Sequence, residues 1–175
     1  IEVDHIIAGI GIRPNTELAQ QAGIHLDEAT GGIQVDAQLR TNLPDIWAAG
    51  DAAAFHYPLL ERRVRIEHAD NANAMGRTAG LNLAGRAAPY DHLPFFYSDL
   101  FDLGYEAVGE LDPRLETFAD WQEPFRQGVV YYLNQGQLRG VLLWNTWDQV
   151  DAARRLLREG RRYEKTELKG RLPEG

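Results

Sequence analysis

The sequence predicts two unlike halves, an α/β segment followed by an α+β unit in which one helix covers an antiparallel sheet. Three observations carry that division. In residues 1–90, apolar runs end in glycine at 6–12 and 41–51, and a helix of small residues fills 69–83. Past a linker at 90–94, the aromatic and β-branched content rises in short runs suited to half-buried strands. Within them, Asn134-Gln135-Gly136 separates two matched strand patterns and reads as a hairpin tip.

Taken in order, residues 6–12 read as a strand that melts into glycines, and Arg13-Pro14-Asn15-Thr16 as a turn. Asn15 or Thr16 caps a helix over 17–22, stopped by Gly23. Gly31 and Gly32 turn the chain into a two-sided strand ending at Asp36. Residues 41–51 form a short buried strand that stops at the Asp51 carboxylate. In an α/β sheet that carboxyl edge borders a ligand crevice. Gly50 would let a ligand approach the backbone, and Asp51 can accept hydrogen bonds from the hydroxyls of a sugar or polyol. The same pattern also suits an ordinary buried strand followed by an Asp turn.

A loop at 51–58 and a basic hairpin-like piece at 60–66 lead to Glu67 and His68. From there Ala69, Ala72, Gly76, Ala79 and Leu83 recur at helical spacing, with Gly85 as a stop. Read by themselves, Glu67 is a helix cap and His68 a surface or core histidine. Strands follow at 95–100 and 105–110, then the hairpin at 128–145. Asp148 caps a final helix with Val150, Ala153, Leu156 and Leu157 on one face. The charged stretch 161–175 is expected to be frayed or disordered.

Composition narrows the function. The 175 residues are 44% hydrophobic, enough to bury a core. A formal net charge of −8 opposes phosphate binding, so nucleic acid is excluded as a partner of the whole chain. No apolar run approaches membrane-spanning length and no signal peptide opens the chain, so no membrane partner is expected. With no cysteine, a thiolate metal site and a redox disulfide are excluded, no metal site is expected, and the cytoplasm is the expected compartment.

The motif from Thr41 to Asp51 resembles the second flavin-binding motif of FAD- and NAD(P)-dependent pyridine nucleotide reductases, in which the last Asp holds the ribityl chain. Residues 6–15 resemble the segment of the same proteins where the chain returns from the NAD domain to the FAD domain. Glu67-His68-Ala69-Asp70 is similar to the Glu-His segment of apoptosis-inducing-factor-like reductases, beside isoalloxazine and nicotinamide. Phe96-Tyr97-Ser98-Asp99-Leu100, Gly104 to Gly109 and Gly140 to Asn145 resemble the C-terminal domain of that factor and of bacterial ferredoxin-type reductases. Tyr97 stands where these proteins commonly carry a tryptophan. The likeness runs from Ile6 to about Gly160.

That resemblance implies the closing part of a Rossmann-like FAD domain at 1–90, an antiparallel-sheet interface domain at 91–160 and a tail at 161–175. Neither phosphate-binding glycine loop of a complete reductase is present, so the chain is expected to be a fragment, inactive and without tightly held FAD by itself. The parent would be an FAD-dependent NAD(P)H oxidoreductase, with FAD and NAD(P)H as cofactors and a small acceptor such as ferredoxin or rubredoxin as partner; a homodimer is compatible. The alternatives are a non-catalytic protein-interaction module and the flavin subunit of a nitrite-reductase-like or NADH-oxidase-like enzyme. A ligand-facing Asp51 separates the module from the enzymes. The implied cofactor-binding residues are Gly50, Asp51, Glu67, His68, Ala69 and Tyr97, with no residue assigned as catalytic. Asp51, Glu67 and Tyr97 are expected to open onto one cleft between the halves, with the positive end of the 69–83 helix facing the flavin.

Overall fold

The computed structural model describes residues 2–173. Helix α1 (Glu17–Gln21) follows Thr16 and is closed by Gly23, whose φ of 78° suits glycine. Strands β1 (Ile33–Gln34), β2 (Ala53–Tyr57) and β3 (Arg62–Val64) make a small sheet in that order. β1 runs parallel to β2, and β3 antiparallel to it. Helix α2 (Ala69–Leu83) occupies the expected span, with His68 at its N-cap.

Two expected strands do not form. Residues 6–12 are unpaired: Ile7 and Ile10 are 98% and 94% exposed, and no strand among the described residues lies beside them. A strand exists through its ladder, so apolar sequence without a neighbour makes none. Residues 41–49 bend instead of running straight. The Thr41 N–H donates to the Ile46 carbonyl across a turn in which Asp45 takes φ 60°. A single 3₁₀ turn, Gly50–Ala52, follows. Asp51 therefore stands in a turn that precedes strand β2, and the expected loop at 51–58 holds that strand.

The C-terminal half builds strands β4 (Phe95–Leu100), β5 (Leu103–Gly109), β6 (Glu116–Glu123), β7 (Gln127–Asn134) and β8 (Gln137–Trp144) into one antiparallel sheet, ordered β4-β5-β8-β7-β6. Strand β6 was not foreseen. The β7–β8 tip places Gln135 and Gly136 at φ 50° and 82°, the paired positive values of a tight hairpin turn. Helix α3 (Val150–Arg158) packs on the sheet, burying Ala152, Ala153, Leu156 and Leu157. Its N-cap is Gln149, one residue beyond the expected Asp148, and the Gln149 side chain makes no capping bond.

Residues 161–173 are part of the fold. Tyr163, Leu168 and Leu172 are 4%, 0% and 3% exposed and join the same core as Tyr131, Leu133 and Leu138. A short helix α4 (Lys165–Leu168) carries a Glu164–Glu167 capping box, and the Gly170 N–H donates to Asp120. Three apolar anchors among the charges hold this stretch down. The core is continuous from Val35 and Tyr57 in the first half to Leu157 and Leu172 in the second. No helix among the described residues is long and apolar enough to cross a membrane.

Candidate functional site

The site grows from the start of α2. His68 is extended at the N-cap, and its Nδ1 accepts the Asp70 N–H at 3.2 Å, so that ring nitrogen is unprotonated and the helix end is closed. The capping role falls to His68 and not to Glu67. Within the helix, Asn71, Met75 and Ala79 face the core, while Ala69, Gly76 and Leu83 face solvent. Of the expected small-residue stripe, Ala79 is buried and Ala72 half-buried, and the rest is exposed. Ala and Gly offer little apolar area, and burial of the Met75 side chain outweighs it.

Glu67 and Asp51 are brought together by one arginine. Arg65 donates from Nη1 to the Asp51 carbonyl at 2.9 Å and from Nε to the Thr30 carbonyl at 3.2 Å, and pairs with Glu67 at 2.5 Å. The Asp51 carboxylate is exposed and makes no hydrogen bond among the described residues. Gly50 is buried at φ 74°, and a Cβ there would lie 3.5 Å from the Cβ of Ala72. The neighbour that approaches Gly50 is thus α2 itself.

Tyr97 reaches the same place from β4. Its ring stands edge to face with His68 at 5.3 Å, and Phe95 lies 5.6 Å from His68. Tyr97 is 55% exposed. Opposite it in the β4–β5 register is Glu106, which no sequence motif had singled out. One Glu106 carboxylate oxygen is buried without a hydrogen-bond partner. Burial first, and the Asp148 charge second, push the carboxyl above its ordinary value, while a hydrogen bond from the Asp148 backbone opposes them. Pairing the two strands would have disclosed Glu106, because cross-strand partners share a face.

The structure therefore joins Asp51, Glu67, His68 and Tyr97 through Arg65 and the aromatic contacts, with Gly50 and Ala69 beside them. Asp51, Glu67 and Tyr97 are exposed, so these contacts trace a seam along the surface. FAD fits this donor set in one respect that the chain itself shows: an exposed carboxylate without a partner at Asp51, beside the N-terminus of a 15-residue helix.

Comparison with known proteins places this arrangement in a class. Residues 1–76 match the pyridine nucleotide-disulphide oxidoreductase family. The second half matches the family described as the mitochondrion-associated C-terminal part of apoptosis-inducing factor, over residues 79–124 and 119–159. Apoptosis-inducing factor 1, mitochondrial, of Dictyostelium discoideum is 36% identical over 93% of this chain. The ferredoxin–NAD(+) reductase component of the anthranilate 1,2-dioxygenase system of Burkholderia cepacia is 34% identical over 91%. The chain spans 33% and 39% of those two proteins' lengths. Among solved structures, putidaredoxin reductase in its covalent complex with putidaredoxin superposes with a TM-score of 0.84 at 31% identity, covering 97% of this chain and 40% of that one. The ferredoxin reductase for the CYP199A2 system from Rhodopseudomonas palustris gives 0.80 at 30%, covering 91% and 39%.

Proposed function

We propose that this chain is the C-terminal part of an FAD-dependent NAD(P)H oxidoreductase that passes electrons to a small acceptor protein of the ferredoxin type. The observation that carries the reading is the meeting of His68, at the N-cap of α2, with Tyr97, on the edge strand of the second sheet, at 5.3 Å. Residues from both halves converge there, and the names of the relatives, ferredoxin and putidaredoxin reductases among them, support electron transfer as the use. In the same proposal, residues 1–90 close the FAD domain and 91–160 form the interface domain, which the observed packing of Tyr163, Leu168 and Leu172 extends beyond 160.

Bound FAD would supply the conversion of hydride transfer from nicotinamide into electron delivery to the acceptor. The chain's own part is to bind and orient. The Asp51 carboxylate would accept hydrogen bonds from the ribityl hydroxyls, and the α2 N-terminus would favour negative charge nearby. Glu67 is fixed by Arg65 and His68 by its capping bond, so both offer polar edges to a nicotinamide without rotamer search. Tyr97 offers an aromatic face to a planar ring.

The test is Asp51→Ala in the whole flavoprotein containing this chain. Its carboxylate is exposed and makes no hydrogen bond among the described residues, so the fold should survive while FAD content per polypeptide, read from visible absorbance after gel filtration, falls. Unchanged flavin content would overturn the assignment.

A further inference from the structure

Behind the seam lies a polar cluster that the proposed function does not use. The Asp70 Oδ2 atom accepts three donors at once: His92 Nε2 at 2.6 Å, Arg154 Nη2 at 3.0 Å and the Phe95 N–H at 3.1 Å. An ionised carboxylate only accepts, so the His92 bond to Asp70 requires a proton on Nε2, the nitrogen that also lies 3.1 Å from Arg154 Nη2. Arg154 also donates from Nε to the Leu93 carbonyl at 2.8 Å and lies 5.6 Å over the Phe95 ring. The three side chains are largely buried, with 19%, 26% and 15% of Asp70, His92 and Arg154 exposed.

The four segments involved are the first turn of α2, the linker at 90–94, the start of β4 and the middle of α3. One carboxylate oxygen ties the first of these to the other three. We infer that Asp70 and Arg154 are positioning residues that set the β4 aromatics against His68. The argument is geometric. Phe95, whose N–H is held by Asp70, lies two residues before Tyr97 on one strand face, and His68 lies two residues before Asp70. Fixing Phe95 to Asp70 therefore fixes both rings that touch His68. Asp70 gains further from its place in the first turn of a helix, where the dipole favours a carboxylate. Arg154 supplies what a point charge cannot: its planar fork holds Asp70 and the Leu93 carbonyl together, in a fixed relation, from the far side of the linker.

This inference rests on the proposed use of the His68–Tyr97 seam, but its test does not need flavin. In the 175-residue protein, ring protons of His68 and Tyr97 should give a nuclear Overhauser contact. Arg154→Gln and Asp70→Asn should each abolish it while amide shifts of the β5–β8 ladder stay in place. The double variant should lose less stability than the two single losses added together, because either change already breaks the shared Asp70–Arg154 bond. Should Arg154→Gln fail to fold, Arg154→Lys decides. It keeps the charge but lacks the planar fork that holds Asp70 and Leu93 in a fixed relation, so it should fold with a weakened contact. A full-strength contact in either Arg154 variant would overturn the positioning role. No contact in the wild type would overturn the seam itself, and with it the geometric basis of the proposed function.

Discussion

His68 is both the cap of α2 and the ring that meets Tyr97, so its replacement by alanine removes two things at once. The structure allows them to be separated. The capping bond is long, 3.2 Å, which puts its loss at the low end of the usual range, about 0.5–1 kcal/mol. Two edge-on ring contacts, to Phe95 at 5.6 Å and Tyr97 at 5.3 Å, are half-exposed and together contribute about 1 kcal/mol. His68→Ala should therefore cost roughly 1.5–2 kcal/mol. His68→Asn restores a preferred N-cap and loses only the ring contacts, so it should cost about 1 kcal/mol. Urea unfolding of the two variants measures the gap. Equal stabilities would refute the cap, and two wild-type stabilities would refute the ring contacts as well. In the proposed flavoprotein, the asparagine variant is the cleaner probe of function: flavin reduction by nicotinamide should slow while flavin content holds.

Other changes test the fold that positions the seam. Leu168→Ala should cost about 3 kcal/mol by urea titration, since the side chain is fully buried, and a loss under about 1 kcal/mol would detach residues 161–173 from the core. Gly140→Ala places a Cβ 2.2 Å from the Glu110 carbonyl oxygen and 2.7 Å from its carbon, so backbone must move; about 3 kcal/mol or more should be lost, and an unchanged thermal midpoint would contradict the β5–β8 packing. Burial raises the Tyr57 phenol to about 12, against the opposing charges of Arg154 and Arg158, and burial likewise raises Tyr90. A folded value above the ordinary 10 or so means that their stabilisation is complete below about pH 10 and is lost as pH climbs toward 12. Phenolate absorbance followed with stability should show the two changing together in that window, and early titration of these phenols in folded protein would refute their burial.

The sequence disclosed the span of α2, because small residues at helical spacing and a glycine stop agree on it, although the cap is His68 and not the expected Glu67. It disclosed β4, β5 and the β7–β8 hairpin for a similar reason: alternating aromatic residues and a two-residue turn both mark them. What escaped it were features that depend on neighbours. Residues 6–12 have strand composition but no partner among the described residues, and composition cannot supply a ladder. The 41–51 motif identified the family and yet misplaced its backbone, since a positive φ at Asp45 is not visible in a run of small and apolar residues. The tail was misread because charge outweighs Tyr163, Leu168 and Leu172 in any local average, although three well-spaced anchors are sufficient to dock it. Glu106, Asp70 and Arg154 were missed because each gains meaning only from a residue distant in sequence.

The seam divides into groups that are held and groups that are free. Arg65 is bonded to Thr30, Asp51 and Glu67, His68 is bonded to Asp70, and the Phe95 backbone is bonded to Asp70 as well. By contrast, the Asp51 carboxylate and the Tyr97 hydroxyl make no hydrogen bond among the described residues, and both are exposed. A ligand that lies along the seam meets a fixed middle, Glu67 and His68, between two ends that can still adjust. That is the arrangement expected of a site that must orient one planar ring and also accept hydroxyls at a distance from it: the held groups lower the entropy cost of orientation, and the free ones make their bonds only when the ligand arrives. The free ends belong to different halves of the chain, Asp51 to the turn before β2 and Tyr97 to β4. Any motion of the second sheet against α2 would change their separation, and the bonds at Asp70 are placed to resist it.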